Sequence, residues 1–155
     1  MAITNLFSAS ESILSLAPVN KAELLERLAA EAAPRLDQPA ETILEALEAR
    51  ERLGSTALGR GVGMPHARME GLPGPLALLA RLERPIDFDA RDGTPVDLVF
   101  LVLWPEEAPE GFLPALSGIC RALRDNHLPR QLRQARSAAE ALALLQATPS
   151  NATEI

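Results

Sequence analysis

The chain has 155 residues, 47% hydrophobic and 23% charged, which fits about one ordinary globular domain rather than a disordered chain. Its formal net charge of −6 argues against a general affinity for nucleic acid or for an anionic membrane surface. With aromatics at only 3%, the core has to be built from Leu, Ala, Val and Ile. Cys120 is the single cysteine, so no internal disulfide can form, and a reducing cytoplasm suits such a chain. Residues 1–10 lack a basic stretch followed by an apolar run, so no signal peptide is expected. No apolar run approaches the roughly 20 residues of a membrane helix. Lys21 is the only lysine, which reads as a compositional preference for arginine.

In chain order, the first helix is expected over 21–33: Asn20 can cap it, Glu23 follows three residues on, and Leu24, Leu25 and Leu28 recur at helical spacing. Pro34 is expected to end it. Residues 40–52 make a second helix with Ile43, Leu44 and Leu47 inward, stopped by Gly54. The texture then changes. Gly54, Gly59, Gly61 and Gly63 fall within ten residues, and 56–58 and 62–64 have the makings of short strands. A Gly/Pro loop at 71–75 precedes the apolar run 76–82. Residues 96–103, β-branched and apolar throughout, read as a strand buried on both faces. Helices are expected over 110–124, 129–134 and 137–146, the first with Gly111 and Pro114 near its start. The pattern is that of a single layered α/β domain over 1–155, with its core at about 10–146 and a frayed tail at 148–155.

Few residues here can carry chemistry. His66 and His127 lie far apart, with no HxxxH or CxxC spacing, so no metal site is expected. Neither a GxSxG turn nor a GxxxxGK[ST] loop occurs. His66 stands out because it follows Pro65 and ends the glycine-rich stretch. The backbone amides there, with the hydroxyls of Ser55 and Thr56, could form an anion-binding nest. Arg50 and Arg68 flank the segment and can each offer paired donors to phosphate oxygens. An imidazole beside a phosphate cradle suits phosphoryl transfer, one nitrogen attacking while the other keeps a proton on a partner that the sequence does not reveal. By residue type and spacing alone, His66 reads more readily as a turn residue, and Arg50 as a solvated helix residue.

The segment RERLGSTALGRGVGMPHAR, from Arg50 to Arg68, resembles the active-site signature of the mannitol/fructose and nitrogen-regulatory enzyme IIA proteins of bacterial phosphotransferase systems. The likeness continues through RLERPIDFDARDGTPVDLVFLVLWPEEAPEGFLPALSGICRALRD, from Arg81 to Asp125, and is strongest for the nitrogen-regulatory type. It implies a three-layer sandwich with a mixed sheet between helices. It implies that His66 takes a phosphoryl group on Nε2 from a small histidine phosphocarrier, with no cofactor. Arg50 matches the active-site arginine, and Ser55 and Thr56 match the GST turn. In one respect the chain departs from the family: Phe112 stands where a second histidine usually begins the following helix.

Three functions follow from the resemblance. The chain is a regulatory phosphoryl carrier acting on nitrogen- or potassium-type targets, or the IIA part of a fructose or mannitol permease passing phosphate to a IIB protein, or a binding module that has lost phosphotransfer. A carrier docking at His66 calls for exposed apolar surface, and Met64, Leu72 and Phe112 are the residues expected to supply it.

Overall fold

The computed structural model describes residues 6, 7 and 9–147. The tail expected to fray at 148–155 lies outside the described residues. The chain forms two compact units, Ser15–Pro109 and a second one made of residues up to Leu14 with those from Glu110 onward.

The first unit contains the sheet. Its elements are the last two residues of β1 (Ile13–Leu16), α1 (Lys21–Leu36), α2 (Ala40–Arg52), β2 (Ala57–Gly59), β3 (Val62–Gly63), β4 (His66–Met69), β5 (Leu76–Ile86) and β6 (Val96–Pro105). Asn20 caps α1 as its sequence predicts: its side chain accepts from the Glu23 amide at 2.8 Å, and the Glu23 carboxylate reaches back to the Val19 amide at 3.1 Å. Pro34 does not end the helix. It falls in the last turn, where its missing N–H removes one bond only, and the helix continues so that Leu36 completes the buried stripe of Leu25, Leu28 and Ala32. The turn-off comes at Asp37, in the left-handed region at φ 53°.

The strand order is β1-β5-β6-β3-β2, with β4 also pairing with β6. β6 is buried along nearly its whole length, as its apolar run predicts. It pairs antiparallel with β5 on one side. On the other side it pairs in parallel with two strands placed end to end, β3 at Leu98–Val99 and β4 at Val102–Pro105. The sheet is therefore mixed, and the chain is α/β as its sequence implies. β2 and β3 form a hairpin whose two-residue loop, Arg60 and Gly61, has φ of 56° and 84°. Positive φ at both loop positions is the combination that matches strand twist, and glycine makes it cheap at the second. α1 and α2 pack on each other, α1 also against β5 and α2 against β4.

The second unit contains α3 (Phe112–Ala122), α4 (His127–Gln134) and α5 (Ala138–Gln146). Two helix starts differ from expectation. α3 begins at Phe112 rather than 110, with Gly111 in the left-handed region before it, and α4 begins at His127 rather than Pro129. Both helices hold a proline at their third residue, Pro114 and Pro129, where the amide would have no intrahelical partner anyway. α5 packs against α4 and against the short 3-10 turn Ser10–Ser12. Gln146 Nε2 donates to the Phe7 carbonyl at 3.1 Å.

Candidate functional site

The residues that the sequence singles out around His66 converge at the end of α2 and the start of β4. The break between β3 and β4 creates the site. After β3 the Met64 amide turns away to the Thr56 carbonyl at 3.0 Å, Pro65 follows, and Val102 of β6 donates to the Pro65 carbonyl at 3.0 Å. The chain rejoins β6 at His66, so the residue that ends the glycine-rich stretch opens a strand and is not the turn residue that its type alone suggests. Strand alternation puts Arg68 on the same face as His66, while Ala67 and Met69 are buried.

Both ring nitrogens of His66 have partners. Nδ1 lies 2.9 Å from the Met64 carbonyl, and Arg50 Nε lies 3.3 Å from Nε2. A guanidinium nitrogen can only donate, so Nε2 presents its lone pair and the neutral ring carries its proton on Nδ1. The Met64 carbonyl is the proton partner that the sequence does not reveal, because a main-chain oxygen leaves no mark on residue identity. Burial pushes the His66 pKa below its ordinary 6.5, against the hydrogen bond to Met64, which raises it; the Arg50 charge adds to the lowering and the Glu51 charge opposes it. The ring is thus neutral at pH 7, with its proton on Nδ1 and its lone pair on Nε2.

Arg50 is fixed twice. Its Nη1 donates to the Gly54 carbonyl at 2.9 Å while Nε faces His66. The site's turn is anchored differently from the expected anion nest. Ser55 Oγ donates to the Phe88 carbonyl at 2.7 Å, and Thr56, buried, donates its hydroxyl to Glu51 Oε2. The amides of Thr56, Ala57 and Arg60 are bonded to Glu51, Ser55 Oγ and Asp92 respectively. These donors brace the turn, and in this arrangement the two hydroxyl protons are not offered to a phosphoryl oxygen. Glu51 is the residue the sequence reading missed: it sits on a helix face among other glutamates, and only the fold turns it inward.

The apolar surface also lies elsewhere than expected. Met64, Leu72 and Phe112 are all buried, whereas Leu53, at the end of α2, is 84% exposed and Leu58 in β2 is 37% exposed. These two flank the Gly54–Thr56 turn in sequence. Phe112 is the first residue of α3, in the second unit. Among the described residues, no group of three or more His, Cys, Asp or Glu side chains is placed to hold a metal ion, and no helix is long and apolar enough to cross a membrane.

Known proteins give this geometry a family. The sequence model described as "Phosphoenolpyruvate-dependent sugar phosphotransferase system, EIIA 2" matches residues 5–148, and the chain belongs to that family. It is accordingly a phosphotransfer component of such a system. Within the family its likeness runs to nitrogen regulatory proteins. It is 45% identical to the nitrogen regulatory protein of Bradyrhizobium diazoefficiens over 98% of this chain and 99% of that one. It is 39% identical to the protein of the same name from Pseudomonas aeruginosa, over 88% of this chain and 89% of that one. The crystal structure of nitrogen regulatory protein IIA-Ntr from Neisseria meningitidis superposes with a TM-score of 0.86 at 33% identity, covering 92% of this chain and 98% of that one.

Proposed function

We propose that the chain accepts a phosphoryl group on His66 Nε2 from a histidine phosphocarrier and regulates a target protein through its phosphorylation state. The observation that carries this reading is the pair of contacts on the ring, Nδ1 to the Met64 carbonyl and Nε2 to Arg50. Together they support Nε2 as the attacking nitrogen.

In the resting state Arg50 Nε–H faces the nucleophilic lone pair. An incoming phosphoryl group, carrying negative charge, draws the guanidinium onto its oxygens and frees that lone pair. Nε2 then forms a bond to phosphorus as the donor's nitrogen–phosphorus bond breaks, and the donor ring takes back the electron pair. The proton stays on Nδ1. Positive charge gathers on the His66 ring, and the Met64 carbonyl is already placed to receive the stronger hydrogen bond that results. The return transfer uses the same contacts in reverse.

The nitrogen regulatory relatives support a regulatory output. The family's sugar-system description favours a second reading, a IIA component that passes phosphate to a IIB protein for fructose or mannitol uptake. One experiment separates these from a binding module without phosphotransfer. The protein is incubated with phosphoenolpyruvate, enzyme I and the phosphocarrier, and its intact mass is measured before and after addition of a fructose- or mannitol-type IIB. A gain of one phosphoryl group retained against IIB supports the regulatory carrier; discharge to IIB supports the permease component. No gain sinks both.

A further inference from the structure

The only lysine of the chain occupies the first position of α1, the end at which a helix dipole disfavours a cation. Its side chain is nonetheless drawn in, 17% exposed, and placed with precision by several partners. Lys21 Nζ lies 2.8 Å from Glu51 Oε1, 3.5 Å from the Phe88 carbonyl, 4.4 Å from the centroid of the Phe88 ring and 3.6 Å from Asp89 Oδ2. The Glu51 carboxylate, only 6% exposed, is fully engaged: Oε1 accepts from Lys21 and from the Thr56 amide, and Oε2 accepts from the Thr56 hydroxyl. A carboxylate this buried needs a compensating charge, and Lys21 supplies it.

What hangs from this pair is the site itself. Glu51 holds Thr56 by two hydrogen bonds. The Thr56 carbonyl takes the Met64 amide, and the Met64 carbonyl faces Nδ1 of His66. Two residues earlier in the same turn, the Gly54 carbonyl holds Arg50 Nη1, which aims Nε at Nε2 of His66. The Phe88 carbonyl, shared by Lys21 Nζ and Ser55 Oγ, anchors the turn between these two arms. Each ring nitrogen is therefore placed by a separate arm, and both arms start at the turn that the ion pair braces.

We propose that Lys21 is a positioning residue for phosphoryl transfer at His66: through its ion pair with buried Glu51 it fixes the Gly54–Thr56 turn, and thereby the Arg50 contact on Nε2 and the Met64 contact on Nδ1. The proposal rests on His66 being the phosphoryl acceptor. Lys21 touches neither the ring nor the transferred group, so its effect is on geometry, where a displacement of about 1 Å can cost on the order of 100-fold in rate.

The test compares wild type, Lys21→Met, Lys21→Arg and Thr56→Val, with His66→Ala alongside. Two quantities are read: kcat and KM for transfer from the phosphorylated carrier, and the tautomer of His66 from ring 15N shifts in the full chain. Lys21→Met is expected to lower kcat by about 10- to 100-fold with little change in KM, and to convert a pure Nδ1–H ring into a mixture of tautomers. Lys21→Arg keeps the charge and should recover most of the rate. Thr56→Val leaves the ion pair intact and cuts only its hydroxyl link to the turn, so it decides the matter should Lys21→Met fold poorly; it too should slow kcat and mix the tautomers. A wild-type kcat and a pure tautomer in the folded variants, with labelling confined to His66, overturns the positioning role alone and leaves Lys21 a matter of stability. Label persisting in His66→Ala overturns the acceptor reading and this proposal with it.

Discussion

The two histidines of this chain occupy opposite kinds of surroundings. His66 opens β4, half-buried, with a main-chain carbonyl on one ring nitrogen and a guanidinium on the other. His127 opens α4 on an exposed position, and its backbone amide donates to Asp125 Oδ1 at 2.9 Å at the start of the helix. The same side chain has both ring nitrogens engaged in one place and stands exposed at a helix start in the other. The difference lies in what the fold brings to the ring.

The largest effect concerns the rings themselves. His66→Ala is expected to abolish acid-labile phosphoryl labelling, while His127→Ala leaves it at the wild-type level. Labelling that depends on His127 would end the comparison.

Next comes the guanidinium. Arg50→Ala should slow transfer by about 2–4 kcal/mol of transition-state stabilisation, roughly 30- to 1,000-fold, the scale of one preorganised electrostatic contact. Arg50→Lys keeps the charge but not the geometry that lets Nε face His66 while Nη1 holds the Gly54 carbonyl, so it should recover only part of the rate. Rapid-quench kinetics with the labelled carrier measures both, and equal rates in wild type and Arg50→Ala would remove Arg50 from the site.

Docking should follow exposure. Leu58→Asp and Leu53→Asp, on the two exposed apolar positions flanking the turn, are expected to raise KM for the carrier about 10-fold, as loss of an apolar contact of 1–2 kcal/mol would. Leu72→Asp should instead unfold the protein, because Leu72 is buried. Thermal melts run beside the kinetics distinguish the two outcomes.

A smaller effect concerns pH. Burial lowers the folded-state pKa of His66 below 6.5, so between that lowered value and 6.5 the unfolded chain binds more protons than the folded one. The stability due to the neutral ring is therefore fully present above pH 6.5 and is lost as pH falls through the folded value. Melting temperatures of wild type and His66→Gln should differ by a constant amount above pH 6.5 and converge below it. The opposite slope would mean that the folded ring prefers its charged form.

The smallest effect is expected at Phe112, the position to which the resemblance assigns a second histidine. A histidine there adds a donor that a phenyl ring lacks. Phe112→His should shift the phosphorylation equilibrium with the carrier toward the phosphorylated protein, within the roughly 1.5–3 kcal/mol of a charge-assisted hydrogen bond. An unchanged equilibrium in a folded variant would make Phe112 a packing residue only, consistent with its burial at the start of α3.

By itself the sequence determined the elements whose signal is local. The Asn20 cap, the leucine spacing of α1, the run that became β6 and the glycines of the β2–β3 hairpin depend on neighbours within a few residues, and those contacts write themselves into residue identity. The grouping of Arg50 with His66 was also legible, through resemblance to a family rather than through spacing. What the tertiary structure alone decided was the use made of each group. It placed His66 on a strand by pairing it with Val102, gave Nδ1 a main-chain partner that no residue type encodes, and turned Glu51 inward to Lys21 and Thr56. It buried Met64 and Leu72 while leaving Leu53 in water. It drew the Ser55 and Thr56 hydroxyls into bracing the turn. Each of these depends on contacts between residues distant in sequence or on main-chain atoms common to all residues, and for that reason none of them could be read from the order of the side chains.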